Sequence, residues 1–234
     1  MPYRYSRARK QFIADVGVVL TTLKDAFSPA CTSTSVQNYA LCSAVILTSA
    51  GFESYLETLV SDWCRALLAN GINTDLLPLN TRAFLLNDPA IEGAYKKFIL
   101  RQNESDFLPE IGGLVGNDIF LFAKNGEVIP AFQPRRLYSD CKYPSPNNIK
   151  RLFRRCGIDS VFAKLAAVAQ KNVENLLTSF NDVRTEMAHD GMPVGLSATD
   201  VRARISDAKS VIGYIDRVFY AHVRKQTGEA SWTV

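Results

Sequence analysis

Histidine is nearly absent from this chain: 234 residues contain two, His189 and His222. Acid–base chemistry near neutral pH that relies on imidazole therefore has two candidates. Cysteine is sparse and unpatterned. Cys31, Cys42, Cys64, Cys141 and Cys156 form an odd set with no close pair, which argues against a disulfide framework and a zinc site and fits reduced thiols in a cytosolic protein. No apolar run approaches the ~20 residues that a membrane helix needs. The longest stretch, Ala40 to Ala50, is interrupted by Ser43, Thr48 and Ser49, so no membrane partner is expected. The basic start, Met1 to Lys10, leads into a stretch containing Asp15 and Lys24 rather than an unbroken apolar segment, and a secretory signal is not expected either. A Gly-rich phosphate loop, a Cys/His metal spacing and a Gly-x-Ser-x-Gly elbow are all missing. The expectation is a protein with no metal and no cofactor.

What is present suits a globular protein with a sizeable core. Hydrophobic residues make up 47% and charged residues 21%, and 27 basic against 23 acidic side chains leave a net charge of +4. The length allows one domain carrying a large insertion.

Hydrophobic spacing predicts helices at both ends of the chain. An amphipathic stretch from about Ser6 to Phe27 stops at Ser28-Pro29. From Val36 to about Asn70, Phe52, Leu56, Leu59, Trp63 and Leu67 step by three or four residues, which reads as a long, largely buried helix. Phe162, Ala166, Ala169, Val173, Leu176, Phe180, Val183 and Met187 alternate steps of four and three, a heptad-like seam for a continuous helix that Asp190-Gly191 and Pro193 would end. A last helix, capped by Ser197 or Thr199, carries Val201, Ile205, Ala208, Ile212, Ile215 and Phe219 on one face. Between Gly71 and Asn148 seven prolines leave room for short helices alone. There Lys124-Asn125-Gly126 separates two apolar runs, Asp118 to Ala123 and Glu127 to Phe132, and predicts one small β-hairpin. The expected fold is an all-α antiparallel helical bundle over residues 1–225, with an inserted irregular region at about 71–147 and a flexible tail at 226–234.

His222 follows Phe219 on the apolar series of the last helix and reads as a packing or C-terminal capping histidine. His189 lies five residues after Arg184 near the end of the seam helix. That spacing turns the two side chains about 140° apart, so they flank the packing stripe on opposite sides. Two copies of the helix meeting along an interface would gather both residues of both chains in one cleft. Taken alone, the spacing favours a capping histidine beside a solvated arginine.

The order Val183-Arg184, four residues, then His189-Asp190-Gly191 at the end of an amphipathic helix resembles the signature of the HEPN superfamily. Asn148-Ile149, Leu152-Phe153 and Gly157-Ile158-Asp159 ahead of it are similar to the RiboL-PSP-type HEPN domains. The resemblance implies a helical bundle and a metal-independent endoribonuclease whose active site forms at a homodimer interface. It also implies a role as a toxin or in antiviral defence, with an antitoxin or accessory protein as partner. His189 would transfer protons and Arg184 would stabilise charge on the phosphorane-like transition state. Glu53, a carboxylate within the apolar helix, is the candidate to orient one of them. The alternative is a non-catalytic HEPN-like module binding RNA, a nucleotide or a protein partner. Thr185 stands where the family often has Asn or Asp, and Gly191 stands where tyrosine-modified members carry their tyrosine.

Charge supplies the second pointer to RNA. From Gln133 to Arg155 seven basic residues face one acid, Asp140. Arg135, Arg136, Lys150, Arg151, Arg154 and Arg155 are the candidate phosphate contacts, with Tyr138, Tyr143 and Phe153 interleaved for stacking. A second basic cluster, Arg4, Arg7, Arg9 and Lys10 with Tyr3 and Tyr5, reads as a flexible surface segment.

Overall fold

The computed structural model describes residues 2–115, 118–189 and 196–234 and is helical throughout, so the all-α expectation holds. α1 (Arg7–Ala26) and α2 (Thr34–Ala69) form an antiparallel pair at its centre. The Ser6 side chain caps α1 by accepting from the Arg9 amide, and Ser33 caps α2 in the same way at Val36. Phe52, Leu56, Leu59, Trp63 and Leu67 of α2 are all buried, where their spacing placed them. Phe12 of α1 packs against Phe52 and Tyr55. Such aromatic clusters each remove a large apolar area from water.

The insertion is built from short helices: α3 (Leu79–Leu86), α4 (Pro89–Arg101), α5 (Glu104–Val115) and α6 (Arg135–Tyr138). α4 and α5 pack mainly on each other, and Ala94 is the buried residue of α4. The predicted hairpin is absent. Asp118–Ala123 is a 3-10 helix, and Val128 instead forms an isolated antiparallel bridge with Asn73. Gly126 does take the positive φ, 78°, that the Asn-Gly signal requires. The apolar residues before it nevertheless turn inward, with Phe122 buried against Phe132, so helical packing outweighs strand pairing.

The seam helix is also not continuous. α7 (Pro146–Arg155) leads into α8 (Val161–Ala169) and α9 (Val173–His189), and Gln170, in the left-handed conformation at φ 53°, breaks the last two apart. Asn172 then accepts from the Asn175 amide and starts α9 afresh. The break rotates the buried face: Val161, Leu165 and Leu177 are buried, whereas Phe162, Ala166 and Leu176 of the predicted stripe are half-buried. Asp190, Gly191 and Pro193, the predicted stop, lie outside the described residues.

α10 (Ala198–Gln226) matches its forecast closely. Ser197 and Asp200 form a reciprocal capping box, and Val201, Ile205, Ala208, Ile212, Ile215 and Phe219 are all buried. The residues after it are not a loose tail. Trp232 is buried and its Nε1 donates to the Arg4 carbonyl at 3.0 Å, while the Arg7 amide donates to the Thr233 carbonyl. Both chain ends are thus pinned to the bundle. The N-terminal basic segment is likewise fixed: Arg7 makes a two-bond fork to Asp62, and Tyr3 and Ser6 bond Asp216.

Candidate active site and basic groove

α9 carries Arg184 and His189 on its last two turns. Arg184 is half-buried, and its guanidinium lies 5.2 Å from the centre of the Tyr143 ring. Its Nε is buried and has no hydrogen-bond partner among the described residues. A buried N–H of this kind is ordinarily paired by water, an ion or a ligand in a native fold. Tyr143 reaches this position because the segment before α7 is tied to α9, with Asn181 donating to the Pro144 carbonyl at 2.8 Å. His189 is the last residue of α9 and is exposed, without a hydrogen bond among the described residues.

Glu53 is half-buried on α2 and forms no hydrogen bond or ion pair among the described residues. One turn along, Glu57 accepts from Tyr138 and lies 3.9 Å from Lys142. Within a single chain, Arg184, His189 and Glu53 are therefore not linked to one another.

α7 continues from the Arg184 end of the bundle. Pro144 meets Asn181 and, further on, Lys150 meets Glu174 at 2.6 Å, so α7 runs antiparallel to α9 and away from Arg184. Beside α7 is a groove of about 690 Å³ lined by Lys150, Arg151 and Arg154, with Phe84, Asn80 and Asn147. The six predicted phosphate contacts divide into two groups. Arg155 is mostly covered, donates to the Leu137 carbonyl and Asp140, and stacks on Phe84 at 4.2 Å. Arg136 donates to the Leu85 and Asn87 carbonyls. Arg155 thereby ties α7 to the insertion, and Arg136 holds two parts of the insertion together. Arg135, Lys150, Arg151 and Arg154 remain exposed, with Arg151 paired to Asp140 at 2.5 Å and Arg154 lying 4.0 Å from Asp159. Hydrogen bonds from Arg155, reinforced by the charges of Arg155 and Arg151, hold the Asp140 carboxyl well below the usual range.

The interleaved aromatics also divide. Phe153 is in the core beside Phe219, Tyr138 is buried, and Tyr143 alone of the three reaches the site. Its pairing with Arg184 had no local signal, because 41 residues separate them. His222 is a packing histidine. Its Nε2 lies 2.8 Å from the Cys156 carbonyl, and burial lowers its pKa, helped by the nearby charges of Lys164 and Lys225.

A family model described as RiboL-PSP-HEPN matches residues 19–221. Neither a curated protein nor a solved structure matches the chain.

Proposed function

This chain belongs to the RiboL-PSP-HEPN family, and from that membership we propose that it is an endoribonuclease, with Arg184 and His189 as its catalytic residues. The observation that carries the reading is Arg184: its guanidinium is held 5.2 Å from the centre of the Tyr143 ring on the same helix as His189, and in this reading it meets the phosphate. In the proposed reaction the ribose 2′-oxygen attacks the adjacent phosphorus and the bond to the 5′-oxygen of the next nucleotide breaks. The products are a 2′,3′-cyclic phosphate and a 5′-hydroxyl. His189 accepts the 2′-hydroxyl proton or donates to the leaving oxygen, and Arg184 bonds the equatorial oxygens as charge builds on them. Both roles need side chains and water alone.

The exposed cations of α7 extend this site. A strand whose scissile phosphate sits at Arg184 would pass Tyr143 and run along Lys150, Arg151 and Arg154 toward Arg135, with phosphates on the cations and bases free to stack. Homodimerisation completes the centre by bringing a second α9 opposite the first. Glu53 serves as orienting carboxylate in that assembly.

Among the described residues no hydrogen bond or ion pair links Arg184, His189 and Glu53, which favours a second reading, a non-catalytic RNA-binding module. Mutant kinetics separate the two. Arg184→Ala and His189→Ala are each expected to slow cleavage by about 100-fold or more while RNA affinity changes by less than about tenfold. Wild-type protein that binds RNA without cleaving a broad panel of sequences favours the module.

A further inference from the structure

A second cationic recess lies between α1 and α10, and no residue of α7 or α9 lines it. It has a volume of about 550 Å³, within the range of small-molecule sites. Arg9, Lys209 and Arg217 line it together with the hydroxyls of Ser206, Ser210 and Tyr214, and no acidic side chain does. Three cations facing one recess without a carboxylate repel one another, so the arrangement gains from a multiply charged anion.

Two of the cations are held in place from behind. Asp216, 0% exposed, accepts from Tyr3 at 2.5 Å, from the Ser6 hydroxyl and amide and from Tyr55. The Tyr3 hydroxyl, donating to Asp216, accepts from Arg9 Nη1 at 2.6 Å, and the Tyr3 ring lies under the Arg217 guanidinium at 5.7 Å. Arg9 is further sandwiched. It stacks on Tyr5 at 3.8 Å and crosses the α10 backbone at Gly213, where a Cβ would come within 2.9 Å of its Nη2. A glycine at this buried point in the middle of α10 is explained by that crossing. Asp216, the carboxylate that anchors the array, is fully buried and is not among the residues lining the recess.

We propose that the α1–α10 recess binds a phosphoanhydride chain, either free polyphosphate or the polyphosphate of a nucleotide, through Arg9, Lys209 and Arg217. A chain fits better than one phosphate. Lys209 and Arg217 are eight residues apart, about 12 Å along the helix axis, with Gly213 and Arg9 between them. Bound there, the chain bridges α1 to α10 and couples ligand to the anchoring of the N-terminal segment. The site is separate from Arg184 and does not depend on RNA cleavage.

Isothermal titration of the full chain in EDTA with tripolyphosphate, ATP and orthophosphate tests this. Tripolyphosphate and ATP are expected to bind at least about tenfold more tightly than orthophosphate. Equal affinity for the first two assigns recognition to the chain alone, and tighter ATP adds the nucleoside against Tyr214. Lys209→Glu and Arg217→Glu, both at exposed positions, are each expected to weaken binding about tenfold, whereas Arg65→Glu on α2, an equal change in net charge, has little effect. No binding of tripolyphosphate or ATP at about 1 mM, or equal weakening by Arg65→Glu, overturns the proposal. So does a short RNA whose affinity depends on Lys209 when tripolyphosphate does not bind, since the recess would then belong to an RNA path.

Discussion

Arg184 and Asp216 show how differently single residues disclose their roles. The Arg184–His189 spacing stands out in the sequence, but the aromatic platform under Arg184 comes from a distant loop and had no local trace. Asp216 is one of several charged residues on an amphipathic helix with nothing to mark it, yet it collects four hydrogen bonds from two other segments. Asp216→Ala is expected to destabilise the fold by about 3 kcal/mol, because it leaves buried hydroxyls and an amide without their acceptor. Urea unfolding measures this, and a loss under about 1 kcal/mol would contradict the anchoring role. Asp140 makes a pH-dependent contribution. Its carboxyl titrates lower in the folded chain than the value near 3.9 of an unfolded one. The stabilisation is therefore present above about pH 4 and declines as pH falls below that. The side chain is 50% exposed, so Asp140→Asn is expected to cost no more than about 1 kcal/mol at neutral pH and to flatten the acid limb of stability.

At the scale of elements, helices with strong apolar spacing and a capping signal were legible, and those decided by packing were not. α1, α2 and α10 match their expected spans to within a few residues. The heptad-like spacing from 162 to 187 concealed the break at Gln170, because the two helices keep similar spacing on either side while their buried faces differ. The Asn-Gly turn signal was real at Gly126, but its flanks lacked partner strands. Gly157, at φ 89° after α7, is a position whose role emerges from the structure: a Cβ there would lie 2.3 Å from Pro78 Cβ. Gly157→Ala is expected to cost about 2 kcal/mol or more, through strain at positive φ and displacement of α3 from α7, read as a fall in thermal midpoint. On the exposed face of α7, Lys150→Glu with Arg154→Glu is expected to weaken RNA binding and reduce the salt slope by about two. Arg155→Glu would instead break the contacts to Leu137 and Asp140 and lower stability.

For the whole molecule, the all-helical bundle follows from patterning, and the proposed RNA contacts are drawn from charge, whereas assembly depends on surfaces that no spacing rule identifies. The chain ends, expected to be loose, pack together through Trp232 and Arg4 because an exposed indole finds both an apolar seat and an acceptor there. Among the described helices none is long and apolar enough to cross a membrane. The proposed reaction places the completed centre at the interface of a dimer. Mixing Arg184→Ala and His189→Ala subunits is expected to restore measurable cleavage if each composite centre draws its two residues from different chains. The most direct measurement is mass spectrometry of the RNA ends produced in EDTA by wild type and by folded His189→Ala. The account predicts 2′,3′-cyclic phosphates from the wild type and none from the variant; equal cleavage by both proteins, or 3′-hydroxyl ends, would contradict it.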